Sequence, residues 1–280
     1  MRRDAKLPRL ASGLSHQIRK RFGQNFLHDK HVISKILGAV SPTKNDHILE
    51  IGPGFGAITK QLAQSGARLH CIELDADLAT SLKTEYREYK SVNILQADAL
   101  KFDLNSIATE KNSLRVVGNL PYNISTPLIF HLLKSSYLIR DMTFMLQLEV
   151  IQRMVSKVGS KSYGRLGLMV QYYCEVEHLF NIASDAFVPR PKVVSALARL
   201  KPHKSPAVTA KDPECLKTVI QTAFNQRRKT IRNSLSTLVS ESLLEEIPVN
   251  KKLRPENLTL QDYVRISDAI SVSYTHLRAH

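Results

Sequence analysis

The stretch His47-Ile48-Leu49-Glu50-Ile51-Gly52-Pro53-Gly54-Phe55-Gly56-Ala57-Ile58-Thr59 decides the fold. An apolar run breaks into three closely spaced glycines and resumes with helical periodicity, which predicts a strand, a tight turn and a helix start. Without side chains at the turn, a nucleotide-like cofactor can lie directly on the peptide groups and on the N-terminus of the following helix. Two cofactors satisfy this pattern. Gly52-x-Gly54-x-x-Ala57 fits the dinucleotide fingerprint, with Glu73 about 20 residues on, where a ribose-binding acid belongs. The same turn suits S-adenosylmethionine, and the glycines alone leave the choice open.

Downstream, Arg68-Leu69-His70-Cys71-Ile72-Glu73-Leu74-Asp75 reads as a second strand ending in acids, 76–88 as a helix, and Ser91 to Leu95 as a third strand before Gln96-Ala97-Asp98. Strands alternating with helices at this spacing predict a parallel, doubly wound sheet with its ligand crevice at the carboxyl ends of the strands. Gly52, Glu73 and Asp98 all fall at such ends. Glu73 is placed to accept from ribose hydroxyls and Asp98 from an adenine amino group, whereas an acid serving only as a helix N-cap is the alternative at either position. Upstream, Phe22-Gly23-Gln24-Asn25-Phe26-Leu27-His28-Asp29 precedes a helix beginning near Asp29. This polar-aromatic loop reads either as a lid or as a capping turn.

The fourth strand, Leu114 to Gly118, opens into Asn119-Leu120-Pro121-Tyr122-Asn123-Ile124-Ser125. Asn-x-Pro-Tyr at a strand end resembles the motif of amino-methyltransferases that act on exocyclic nitrogens of nucleobases, and dehydrogenases have no use for it. The residue types fit that chemistry. The adenine N6 lone pair is delocalised into the ring, so it attacks poorly until acceptors hold its hydrogens. The Asn119 side-chain oxygen and the Leu120 carbonyl can be those acceptors. Pro121 fixes the turn and Tyr122 offers a stacking face worth about 1–3 kcal/mol. The remaining requirement is in-line approach of the methyl donor, so positioning dominates the expected rate.

Together with Phe224-Asn225-Gln226-Arg227-Arg228-Lys229-Thr230-Ile231-Arg232-Asn233, these motifs resemble the bacterial small-subunit (16S) ribosomal RNA adenine dimethyltransferases, in family order and over about residues 15–270. The resemblance implies a Rossmann-like class I methyltransferase fold with a small C-terminal all-helical domain. It also implies dimethylation at N6 of two adjacent adenosines near the 3′ end of 16S rRNA in the immature small subunit, with four S-adenosylmethionine molecules as donors and no metal. Residue by residue it assigns Asn25, Leu27, Gly52, Glu73, Asp98 and Asn119 to the cofactor, and Asn119, Leu120 and Tyr122 to the target base. The related 23S rRNA adenine methyltransferases of macrolide resistance share Asn-x-Pro-Tyr, but Leu120 and the 225–233 segment argue against them. A third reading is a small-subunit assembly factor whose methylation is secondary. Phe55 departs from the family, which more often has Leu there.

In Ala186-Phe187-Val188-Pro189-Arg190-Pro191-Lys192, two prolines are expected to prevent regular pairing and leave Phe187 exposed as a second stacking face for a flipped adenine, against a core anchor as the alternative. Tyr172 to Phe180 and Val193 to Leu200 read as closing antiparallel strands, and Lys157 to Arg165 as a basic loop. Beyond the Pro-containing linker at 201–212, helices are expected at 214–224, 229–240, 241–246 and 259–271. Arg227, Arg228, Lys229 and Arg232 are the expected RNA contacts.

Composition agrees with a polyanionic partner. Forty Lys and Arg against 25 Asp and Glu leave a formal charge of +15. Cys71, Cys174 and Cys215 lie far apart without CxxC spacing, so neither a disulfide framework nor a zinc site is expected. No run of about 18 apolar residues suggests a membrane span, and a cytoplasmic monomer is expected. The expected organisation is a basic arm at 1–21, a methyltransferase domain at 22–203, an RNA-binding helical domain at 204–271, and a tail at 272–280 that carries no pattern continuing the domain.

Overall fold

The computed structural model describes residues 23–278, with side chains through 273. The basic arm at 1–21 therefore lies outside the described residues. Contacts divide the chain into two units, one comprising Met1–Ile151 and Val176–Pro202 and the other Gln152–Glu175 and His203–His280. The second unit thus takes in an internal segment, 152–175, that a linear boundary at 203 assigns to the first.

In chain order, the first unit contains β1 (Phe26–Leu27), α1 (Lys30–Val40), β2 (His47–Ile51), α2 (Thr59–Gln64), β3 (Arg68–Glu73), α3 (Ala76–Glu85), β4 (Val92–Gln96), β5 (Leu114–Asn119), α4 (Ser125–Leu133) and β6 (Ile139–Gln147). The chain continues through α5 (Leu148–Met154), α6 (Arg165–Tyr173), β7 (Cys174–Ile182), β8 (Phe187–Val188) and β9 (Ser195–Pro202), with the unit divisions falling inside α5 and β7. The sheet order is β4-β3-β2-β5-β6-β9-β7. Strands β4 through β6 pair in parallel, and β9 runs antiparallel to β6. Because both faces of the sheet are covered, β2 and β5 carry near-continuous apolar runs, with Ile48, Leu49, Ile51, Val116 and Val117 all buried. Strand order reverses between β2 and β5, which creates the crevice at their carboxyl ends.

Two devices fix this arrangement. Gly118 in β5 passes so close to β2 that a Cβ there would sit 2.5 Å from the Ile51 carbonyl oxygen, so no larger residue fits. At the opposite ends of the strands, Arg115 is buried between two aspartates. Its Nη1 lies 3.1 Å from Asp46, its Nε 3.0 Å from Asp141, and its Nη2 donates to the Val40 carbonyl at 2.7 Å, tying the end of α1 to β5. Arg140 adds a second contact to Asp46 at 2.9 Å.

The second unit contains α6, α7 (Pro213–Asn225), α8 (Ile231–Ser234), α9 (Glu241–Glu246) and α10 (Leu260–Arg278). Its core gathers Leu216, Val219, Ile220, Ile231, Leu235, Tyr263 and Ile266, all buried. Phe224 stands 6.4 Å from the Tyr163 ring and 6.1 Å from Tyr263. The hydroxyls of those tyrosines donate to the Leu258 and Pro255 carbonyls. The expected helix at 229–240 shrinks to the four residues of α8. The Ser234 and Ser236 hydroxyls donate to the Ile231 and Asn233 carbonyls, local bonds that compete with continuing the helix. Conversely, α10 runs past the expected end at 271 through Arg278. A strand expected from Tyr172 begins at Cys174, and the apolar run before it forms α6, a length at which periodicity does not separate helix from strand.

Phe187 requires a correction. It is fully buried, and β8 pairs antiparallel with β1, Leu27 opposite Phe187. The prolines end that short strand rather than prevent it, and the ring belongs to the core with Ile36, Leu62 and Leu197. Phe187→Ala should therefore cost about 3–5 kcal/mol in denaturant unfolding. A side chain standing free on a loop would cost almost nothing on truncation.

The Arg115 pairing has a pH signature. Burial alone would raise the Asp46 carboxyl, but the Thr43 amide and the Arg115 and Arg140 guanidinia outweigh it and hold it below the usual 3.8. Stability from this depression is present above the unfolded value and lost as pH falls through the folded one. Arg115→Met should cost up to about 3–5 kcal/mol at pH 7 by removing the buried partner of Asp46 and Asp141 and leaving both carboxylates to the half-exposed Arg140 alone. The gap from the parent should narrow in urea unfolding below about pH 4. A gap independent of pH would contradict the pairing.

Candidate active site

A cleft lies at the carboxyl ends of β2, β3, β4 and β5, with Asn25, Leu27, Gly52, Glu73, Asp98, Asn119, Leu120 and Tyr122 all among its lining residues. The topology brings these together from five separate segments, whereas Phe187 is not part of the lining.

The turn after β2 follows from its glycines. Gly52, Gly54 and Gly56 have φ of 68°, 60° and 76°, and a Cβ on Gly54 would meet the Phe26 ring at 3.0 Å. Glycine at 54 thus admits both the left-handed backbone and the aromatic roof above it. Phe26 in turn packs edge-on against Phe55, with centroids 4.7 Å apart.

Glu73 holds this turn in place. One carboxylate oxygen accepts from the Gly54 amide at 3.1 Å and the other from the Asp75 amide at 2.9 Å. Burial raises the Glu73 pKa, opposed by those backbone donors. A carboxylate offers about four acceptor sites, so both oxygens retain capacity for hydroxyl donors. Asp98 accepts from the Leu100 amide at 2.9 Å through Oδ1 and lines the cleft beside it. Asp75 caps α3 by accepting from the Asp77 amide.

Glu50 is a lining residue that sequence reasoning did not single out. It is buried, accepts from the Cys71 thiol at 3.6 Å, and has its pKa pushed up by burial to about 7. Its signal was present as an acid interrupting an apolar strand just before the first glycine. The ionisable groups that line the cleft are consequently Glu50, Glu73, Asp98 and Tyr122, without a Lys, Arg or His among the described lining residues.

At the other end of the cleft, the Asn119 Nδ2 donates to the Asn25 carbonyl at 2.7 Å. A carbonyl oxygen can only accept, so this bond fixes which way the amide faces and leaves Oδ1 as an acceptor. The Leu120 side chain is buried and its amide donates to the Met145 carbonyl at 3.2 Å. The Tyr122 hydroxyl lies 2.5 Å from the Ser195 hydroxyl, and burial raises the Tyr122 pKa. The ring is thereby held by its polar tip at the start of β9.

The basic residues of the second unit are not equivalent. Arg227 pairs with Glu256 at 3.3 Å and donates to the Ser160 carbonyl. Arg232 pairs with Glu241 and lies 4.0 Å from Glu245. Arg228 and Lys229 are exposed in the turn after α7 and have no ion-pair partner among the described residues. Among the described residues no group of three or more His, Cys, Asp or Glu is arranged to hold a metal ion, and no helix is long and apolar enough to cross a membrane.

A model of the family described as ribosomal RNA adenine dimethylase matches residues 15–271. Curated relatives called ribosomal RNA small subunit methyltransferase A are 49% identical in Hahella chejuensis, over 92% of this chain and 94% of the relative, and 54% identical in Pseudomonas syringae pv. tomato, over 91% and 96%. Among solved structures, a dimethyladenosine transferase from Plasmodium falciparum superposes with a TM-score of 0.72 at 25% identity, covering 90% of this chain and 98% of that one. The 23S rRNA methyltransferase ErmE shares the fold with a TM-score of 0.65 at 24% identity, over 88% and 100%. By its sequence over nine-tenths of its length and by its fold, the chain belongs to the ribosomal RNA adenine dimethylase family.

Proposed function

We propose that this protein transfers methyl groups from S-adenosylmethionine to N6 of two adjacent adenosines near the 3′ end of 16S rRNA, acting as a monomer on the immature small ribosomal subunit in the cytoplasm. The family and the names of the curated relatives support an rRNA methyltransferase acting on the small subunit. The single observation that carries the cofactor is the acid-only charge of the cleft lining. A dinucleotide would set its pyrophosphate on the turn after β2, where no cationic side chain among the described residues lines the cleft and the Gly54 amide is already committed to Glu73. A sulfonium cation suits the same surface.

When bound, S-adenosylmethionine supplies an electrophilic methyl group on a positively charged sulfur. The chain's own residues do the rest. Glu73 accepts from ribose hydroxyls with its remaining capacity, and Asp98 accepts from the adenine amino group. Asn25, Leu27 and Gly52 close around the cofactor. The Asn119 Oδ1 and the Leu120 carbonyl accept the two N6 hydrogens of the target base, which draws its lone pair out of the ring, and Tyr122 stacks on the base. The nitrogen becomes acidic as it gains the methyl group, so its proton can leave to water without a strong base. In the second unit, Arg228 and Lys229 are the side chains best able to meet phosphates, and Arg227 and Arg232 must first leave carboxylate partners. A role in subunit assembly fits the same chain, since phosphate contacts supply binding that methyl transfer does not require.

Unmethylated small subunits incubated with the protein and S-adenosylmethionine should acquire two adjacent dimethyladenosines. Asn119→Ala, assayed at saturating cofactor, should lower methyl transfer by about 10²-fold or more. Subunit binding should stay within a few-fold. Near-normal dimethylation by the variant would remove Asn119 from the reaction, and loss of subunit binding would show that the two roles are not separable.

A further inference from the structure

The residues from Gly23 to Leu27 are tied to several parts of the cleft in the first unit. The Gln24 Nε2 donates to the Asp75 Oδ2 at 3.1 Å, the Asn25 carbonyl accepts from Asn119 at 2.7 Å, Phe26 lies on Gly54, and Leu27 pairs with Phe187. Asp75 is a rigid anchor for the first of these ties. It is fully buried, its amide donates to Glu73, and its Oδ1 caps α3.

This arrangement has a consequence for the amide of Asn119. An Asn side chain presents an acceptor at one end and a donor at the other, and the two are nearly the same shape. Only the oxygen can accept from an adenine amino group. The Asn25 carbonyl decides the matter, because it repels the oxygen and binds the nitrogen. That carbonyl stays in reach while the backbone at 24–25 is held. The Asn25 Nδ2 braces it within the loop by donating to the Gly23 carbonyl at 3.2 Å, and Gln24 ties it to the buried Asp75 beyond the loop.

We propose that Gln24 is a positioning residue for methyl transfer, fixing through Asp75 the Asn25 carbonyl that orients the Asn119 amide toward the target base. The proposal rests on the functional reading above. It assigns to Gln24 no contact with the base.

Gln24→Met keeps the length of the side chain and removes the donor, whereas Gln24→Lys keeps a donor for the Asp75 carboxylate. At saturating S-adenosylmethionine and small subunits, Gln24→Met should lower kcat roughly tenfold, short of the ~10²-fold that a misplaced reacting group can cost. Gln24→Lys should recover most of that loss. In an Asn119→Ala background, Gln24→Met should cause no further loss, since residues acting as one unit are non-additive. A merely structural role would instead lower the thermal midpoint and reduce kcat in both backgrounds alike. Unchanged kcat in Gln24→Met, or equal losses in the two backgrounds, would overturn the proposal while the parent protein still dimethylates 16S rRNA. A parent protein that does not dimethylate it overturns the functional reading itself.

Discussion

The site depends on a buried carboxylate that bonds to two backbone amides. Glu73 accepts from Gly54 and Asp75, one with each oxygen, and so joins the turn after β2 to the end of β3. Burial opposes its ionisation, and the amides offset that opposition. Strands β2 and β3 are paired in parallel through Ile51 and Ile72, so the acid and the turn share a fixed register before any ligand arrives. The cap of α3, the roof formed by Phe26 and the tie from Gln24 to Asp75 all build on that junction.

Charge is distributed in opposite senses across the chain. The sequence carries +15 overall, yet the cleft shows only acids among its charged lining residues. A cationic cofactor is attracted to the acids and a polyanion to the rest of the surface, so the two substrates do not compete for the same groups. The cations of the second unit are graded in the same manner. Arg228 and Lys229 stand exposed, whereas Arg227 and Arg232 face carboxylates. On the proposed reading, phosphate contact at Arg227 and Arg232 has to displace an existing pair, and at Arg228 and Lys229 it does not.

Strands β2 to β5 and the acids at their ends were legible because apolar runs, glycines and acids lie next to one another in sequence, where local chemistry decides the outcome. The same holds for Asp29, which caps α1 as its position before the helix implies. Phe187 was misread because its burial depends on pairing with a two-residue strand some 160 positions upstream, a contact with no local signature. The partners of Arg227 and Arg232 were hidden for a related reason, since Glu256 is far along the chain from Arg227 and Glu241 lies in the next helix, α9, beyond the i,i+4 reach of Arg232. The shortened α8 reflects hydroxyls that bond to nearby carbonyls, which a periodicity of apolar residues does not register. Glu50 was visible as a polar break in a strand, but its burial beside Cys71, which raises its pKa, is a tertiary fact.

The claim that an acid-lined cleft anchored by Glu73 selects a cationic nucleoside cofactor is tested most directly by calorimetric titration with S-adenosylmethionine and with NAD. The account predicts saturable one-to-one binding of S-adenosylmethionine, weakened by roughly 1.5–3 kcal/mol in Glu73→Ala, the value of hydrogen bonds to a charged acceptor, and no measurable heat with NAD. Tight NAD binding, or S-adenosylmethionine affinity unaffected by loss of Glu73, would contradict it.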